Sequence, residues 1–412
     1  MVPIQRGRLF LNLVGASLAI LIIWPIIGLI LEGLNGLISG SVRLGIDGVK
    51  QIKGTSILVL FTGIFGGCLG TINGWLLANC RFKGRKIIRL AQLLPLATPA
   101  YLLTATFIDL GSINSIRIYG LPWAILIMTL TTYPYVFLLS SESFSKCGKV
   151  HLEACRSLGI GPWKSFFRVA LPMAIPAIGA GITLMSMEVI NELGAVQLLN
   201  IPSISAGIVE NWILEGNPSG AIALALIALI IVLLLVLYEK HLRKKSRRWT
   251  DGIAGGQAPE WHLKGLRSFL ALLITVFPPL FTIGIPFVWI TYNSDLILQG
   301  LNLEIIILSL RSIVLALITS SLAVIIACLI AVARRWNSSK WMKSIAFISG
   351  IGYAIPGSVL ALGLISFGGN ALNLSPLILL IWGYSNRFLA VAKSGIESAF
   401  ERINPNIDEA AS

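Results

Sequence analysis

The sequence predicts an all-α, polytopic transmembrane bundle built from two parallel repeats, and three observations predict it. Hydrophobic residues make up 56% of the 412 positions and charged residues only 12%, against about 25% charged in a soluble domain. Ten apolar stretches approach or exceed the roughly 20 residues needed to cross a hydrocarbon layer. When those stretches alternate sides, the basic residues collect on one side. A soluble core cannot absorb this much apolar surface, so lipid is the solvent for much of the chain.

The stretches lie near 9–31, 55–80, 90–110, 121–140, 173–198, 219–238, 268–292, 305–333, 344–366 and 374–392. The first follows Arg6 and Arg8, as a signal peptide would, but it is longer than a signal's apolar region and no A-x-A cleavage site follows. It is predicted to remain as the first span. Several others are interrupted by Gly and Pro, which spanning helices tolerate when neighbours satisfy the freed backbone groups. In the fourth, Tyr133-Pro134-Tyr135 predicts a kink. Eleven Trp and eight Tyr are read mostly as anchors at the membrane–water boundary.

With the N-terminus in the cytoplasm, 27 of the 32 Lys and Arg fall in inner segments, leaving Arg43, Lys50, Lys53, Arg117 and Arg311 outside. That is the bias of the positive-inside rule. It also accounts for the net charge of +14 as charge beside anionic lipid. Nucleic acid is excluded as a partner, because the basic residues are scattered and carry no interleaved aromatic motif.

The most basic hinge, 241–267, divides the chain into a first half, 1–240, and a second half, 268–412. Landmarks recur across it: Arg81 and Arg334, Pro99 and Pro356, Pro122 and Pro376, Glu153 and Glu409, each pair separated by nearly the same interval. Parallel repeats of this kind are a common transporter plan. The second half stops shortly after Glu409, where the first continues through two more helices. The complete protein is therefore expected to have twelve spans, ten of them in this sequence.

Residues 151–172, HLEACRSLGIGPWKSFFRVALP, carry the functional signal. Small residues at 154 and 155 would let a short helix sit closely in a partner's groove. Gly159 suits the left-handed end of such a helix, Pro162 the first position of the next, and Leu158, Phe166 and Phe167 are available as apolar anchors. The segment, within a loop of about 149–172, resembles the cytoplasmic coupling loop of ABC importer permeases through Glu153, Ala154, Gly159, Phe166 and Pro172, with Cys155 where that family usually has Ala. Glu409, Ala410 and Ala411 resemble the start of a second such loop. The sequence has no G-x-x-x-x-G-K-[ST] phosphate cradle. The resemblance therefore implies that ATP is bound and hydrolysed by separate cytoplasmic subunits, two of them, and that no cofactor resides in this chain. It also implies a periplasmic binding protein that delivers the cargo.

Three further stretches, 93–107, 130–139 and 187–213, are similar to permeases of the ferric-iron uptake type, which are also two fused halves. Sulfate, polyamine and phosphonate permeases share the general architecture but are usually single-half proteins. Glu188 and Glu192 stand four apart on the fifth span with Asn191 beside them, and ionisable groups in a span face cavities or partners. They are candidates for a translocation path. The alternative is that Glu192 caps the outer end near Gly194 and Glu188 pairs with Arg311 or a neighbouring amide. Asp109 is read as interfacial. His151, His241 and His262 map to the inner side, and Cys68, Cys80, Cys147, Cys155 and Cys328 lack paired metal spacing. They are read as reduced thiols, with neither disulfide nor metal site. An ion-gradient-driven transporter would want carboxylates or broken helices near the midplane. A membrane enzyme would need clustered His, Asp or Ser at one depth.

Overall fold

Each of the ten predicted stretches is helical in the computed structural model, which describes residues 2–146, 149–250, 260–300, 302–336 and 339–400. Six unbroken helices are long and apolar enough to span: Asn12–Ile38, Gly48–Asn79, Trp163–Asn191, Pro218–Lys244, Leu266–Tyr292 and Leu303–Arg335. Three predicted spans are instead bent pairs. Arg85–Ala97 meets Ala100–Ile113 at 90°, Leu121–Thr132 meets Pro134–Ser145 at 42°, and Trp341–Tyr353 meets Gly357–Gly369 at 110°. The middle break is the kink that Tyr133-Pro134-Tyr135 predicts. The tenth stretch lies in Pro376–Phe400, where Arg387, Lys393 and Glu397 dilute the apolar run. By length and composition the spans among the described residues therefore number six, or up to nine if each bent pair is one span, beside the ten expected.

The helices, in chain order, are α1 (Val2–Ile38), α2 (Gly48–Asn79), α3 (Arg85–Ala91), α4 (Ala100–Ile113), α5 (Leu121–Thr132), α6 (Pro134–Lys146), α7 (Lys149–Ser157), α8 (Pro162–Ser165), α9 (Leu171–Asn191), α10 (Gly194–Leu198), α11 (Ile204–Val209), α12 (Pro218–Thr250), α13 (Leu266–Pro279), α14 (Ile285–Tyr292), α15 (Ser294–Gly300), α16 (Leu303–Trp336), α17 (Lys340–Ser349), α18 (Gly357–Leu364) and α19 (Pro376–Phe400). Two of the matched prolines share a backbone conformation. Pro99 (φ −59°, ψ 136°) and Pro356 (φ −54°, ψ 136°) both stand extended immediately before α4 and α18. Proline cannot donate to the preceding turn, so each half breaks its third span at the matched residue.

Two compact units result, and they do not follow the order of the repeats. One unit takes residues 2–45, 208–229 and the described residues from 298 to 400; the other takes 46–207 and 230–297. Each unit thus holds the first long helix of the opposite half. In the first unit α1 packs on α16, α17 and α19 through Ala19, Ile22, Ala327, Ile330, Ala346 and Leu389. Buried Asn386 donates its side-chain N–H to the Ile22 carbonyl. In the second unit buried Gln92 donates to the Thr275 carbonyl of α13 at 2.6 Å. Both carbonyls lie three residues before a proline, Pro25 or Pro278, where the ring disturbs helical bonding. Thr275 also stands four residues before Pro279, which has no N–H to give its carbonyl, and the Gln92 amide supplies the missing donor.

Gln92 also accepts from Asn73 Nδ2 at 2.9 Å and from the Tyr133 hydroxyl at 3.0 Å. This buried hub ties α2, the α5–α6 break and α13 together. Between lipid-embedded helices there is no hydrophobic drive, so association depends on such hydrogen bonds and on close backbone approach.

Candidate functional site

Both candidate regions lie in the second unit, at opposite ends of its helices. At the arginine- and lysine-rich end, α7 closes with two bonds: the Gly159 N–H donates to the Arg156 carbonyl at 3.0 Å and the Ile160 N–H to Cys155 at 2.9 Å. This is a Schellman termination, which needs a left-handed residue. Gly159 supplies it with φ 70°. A Cβ there would meet nothing within 4 Å, so the dihedral angle, not space, calls for glycine. Pro162 opens α8, and a π turn over Phe166–Ala170 joins it to α9. Pro172, the second residue of α9, is exposed and lacks the N–H that would tighten that turn.

α7 has two unlike faces. Leu152 is fully buried and Cys155 is buried, whereas Glu153, Ala154 and Leu158 are exposed, Leu158 by 76%. The sequence reading had both small residues, 154 and 155, facing a partner. Only Ala154 does; Cys155, three residues on from Leu152, shares its inward face. Of the expected anchors Phe166 is buried, while Leu158 and Phe167 are exposed. Leu152 joins a cluster with Trp75, Phe144 and Phe166. Trp75 is 5.5 Å from Phe144, 5.3 Å from Phe166 and 5.5 Å from Trp261, centroid to centroid. Aromatic pairs at such distances contribute about 1 kcal/mol each beyond burial. The short helix is therefore tied to the ends of α2, α6 and α9. Glu409, Ala410 and Ala411 lie outside the described residues.

The hinge helps to hold this end. Its first part extends α12, and its last part forms a two-residue parallel strand, Trp261–His262 (β2), beside Cys80–Arg81 (β1). Arg85 donates to the Leu77 and Ala78 carbonyls at 2.9 and 3.3 Å, covering the end of α2, and pairs with Glu260 at 2.7 Å. Burial pushes the Cys80 thiol up to about 12, against the opposing pull of the Arg85 charge. Only the thiolate is nucleophilic, so in a variant retaining Cys80 alone, maleimide labelling at pH 8 is expected to run about a thousandfold slower than for a free thiol. Intact-mass analysis measures this, and denaturation should restore the rate.

At the other end a cavity of about 230 Å³ is lined by Glu188, Glu192, Thr131, Thr132, Tyr101 and Tyr135, with Pro95 and Pro99 from the broken third span. Asn191 ends α9 half-buried, outside that lining. Glu192 Oε1 accepts from the Ala195 N–H of α10 at 2.8 Å. That bond uses one oxygen, and the side chain still lines the cavity. Asp109 accepts from the Trp289 indole, joining α4 to α14. The sequence reading missed Thr131, Thr132 and Tyr101. Their signal was polar residues beside Pro99 and Pro134, the places where spans break.

Residues 70–248 match the family described as the binding-protein-dependent transport system inner membrane component. Over that segment the chain is similar to the transport permeases of this family. The chain is 26% identical over 373 residues to the Fe(3+)-transport system permease protein FbpB 2 of Haemophilus influenzae, covering 87% of this chain and 72% of that protein. It is 30% identical over 162 residues to the sulfate transport system permease protein CysT of Escherichia coli K12, covering 36% of this chain and 57% of that protein. It is 27% identical over 219 residues to the molybdenum transport system permease protein ModB of the same organism, covering 48% and 92% respectively. The permease segment contains α7, Glu188 and Glu192. Its relatives are translocation subunits, and the family works in general with a binding protein and an ATPase. With its apolar helices, this permease is a multi-pass inner-membrane protein.

Proposed function

We propose that the permease is the membrane passage of an ATP-driven importer that admits ferric iron handed over by a periplasmic binding protein. The carboxylate pair of the Glu188–Glu192 cavity carries the choice of cargo. A dianion such as sulfate or molybdate would be repelled there, whereas a hard cation suits carboxylate and phenol oxygens. The relative over most of the chain, named for Fe(3+) transport, supports the same choice.

In this reading the N-terminus and the basic end face the cytoplasm. Two ATPase subunits bind ATP, and one of them receives the outer face of α7 through Glu153 and Ala154. Gly159 and Pro172 set the angle at which α7 meets α9, and Cys155 fastens it from within. Glu409, Ala410 and Ala411 begin the second docking segment. Motion of α7 then passes into α9, whose far end carries Glu188 and Glu192. The permease binds no cofactor of its own and supplies only the route.

The test is uptake by proteoliposomes containing the complete transporter, its ATPase and a ferric-loaded binding protein. Wild type is expected to take up iron but not sulfate or molybdate. Glu188→Gln with Glu192→Gln is expected to slow iron uptake about tenfold or more, the loss of roughly 1.4 kcal/mol of stabilisation, while the ATPase remains bound. Uptake at the wild-type rate, or transport of the oxyanions instead, would discard the iron route.

A further inference from the structure

Near the α7 end, the second unit carries a cleft separate from the Glu188–Glu192 cavity. It encloses about 710 Å³ and is lined by Arg81, Arg85, Lys86 and Arg89, with Phe82 as its buried floor and Glu260 as the single acid. Glu260 is taken up by Arg85 at 2.7 Å and, more distantly, by Arg81 at 3.5 Å. Lys86 and Arg89 have no carboxylate partner among the described residues. The cleft is therefore cationic after internal pairing.

Its surroundings distinguish a lipid from a soluble anion. Ile87 and Leu90, interleaved with those cations on α3, are exposed by 76% and 70%, and Leu93 and Leu94 continue the apolar surface. A site for a dissolved phosphate gains nothing from large aliphatic side chains left in water. A helix whose cations and aliphatics are both exposed belongs at the membrane boundary, with its charges among headgroups and its aliphatics among acyl chains. Basic pockets at the end of spanning helices recognise anionic headgroups in this way.

We propose that this cleft binds the phosphate headgroup of an anionic phospholipid, with Lys86 and Arg89 as its principal contacts, Arg81 at its rim and Ile87 and Leu90 against the acyl chains. The site has a route to the docking helix. Phe82, Ile88 and Trp261 belong to the same packed cluster as Leu152 of α7. Headgroup binding therefore steadies the end of the bundle on which α7 is mounted.

Native mass spectrometry of the full chain in detergent, titrated with phosphatidylglycerol, phosphatidylcholine or inorganic phosphate, tests the assignment. One phosphatidylglycerol adduct is expected at least tenfold tighter than phosphatidylcholine and resistant to millimolar phosphate. Lys86→Glu with Arg89→Glu should remove that preference, and the milder Lys86→Gln with Arg89→Gln should weaken it, both at unchanged melting temperature. Equal binding of the two lipids overturns the proposal. So does displacement by phosphate, which would mark a soluble-anion site, or undiminished phosphatidylglycerol binding by a folded Gln variant.

Discussion

Gly70→Val is expected to leave little folded protein in a detergent extract, while Gly63→Ala extracts at the wild-type yield. The two glycines stand two turns apart on α2. A Cβ at Gly70 would lie 2.7 Å from the Val136 Cβ, 2.8 Å from the Tyr133 carbonyl oxygen and 2.9 Å from the Phe137 amide nitrogen. Two of these three atoms are backbone, at the α5–α6 break, and cannot rotate away. At Gly63 the nearest atom is a methyl of Ile182 at 3.6 Å, an ordinary contact. Overpacking costs about 1–3 kcal/mol where side chains yield; with backbone in the way, Gly70→Val falls at or beyond the upper end. Separating α2 from α6 would also stretch the Asn73–Gln92–Tyr133 hub, because its donors sit on α2 and at the break immediately before α6. Thermal unfolding in detergent, with extraction yield beside it, distinguishes the pair. Equal behaviour of the two variants would mean that close packing of α2 is not what holds the unit.

How much of this was legible beforehand depends on what each signal measures. The ten apolar stretches were, because lipid imposes a length of about 20 apolar residues irrespective of packing. Bends were half legible. Pro134 announced the 42° kink, but Pro99 and Pro356 were read only as repeat landmarks, since hydropathy is the same for a straight span and for a pair folded back by 90° or 110°. α19 lost its place among the apolar spans because Arg387 and Lys393 stand within it. The exchange of first helices between units was not legible at all. Hydropathy says that α1 and α13 are helices in lipid and nothing about which neighbour each selects. The clue lay in single polar residues inside apolar runs, Gln92 and Asn386, and in Pro25 and Pro278, which keep the spacing of the other repeat landmarks. In α7 the face was readable from spacing: Leu152 and Cys155, three apart, must share a side of the helix, which removes Cys155 from the docking face and leaves Glu153 and Ala154.

That division of faces makes a second large effect predictable. Glu153→Lys combined with Ala154→Trp is expected to reduce uptake by the complete transporter more than tenfold without shifting the melting temperature of the permease. Both side chains are exposed and neither belongs to the buried cluster, so the fold loses no contact. The docking reading, by contrast, requires a closely fitted surface there. A bulky indole and a reversed charge at such a contact cost about 2 kcal/mol or more, equivalent to roughly thirtyfold in affinity. ATPase retention on the immobilised permease should fall in step with uptake. Leu152→Asp supplies the opposite pattern, because a carboxylate forced among Trp75, Phe144 and Phe166 has no charged partner in that cluster and destabilises the end of the bundle itself. An outward-face variant that transports at the wild-type rate would remove α7 from the drive train, whereas one that melts early would show that the face carries fold and not partner. The two results separate because the helix has one side built for its own protein and another left open.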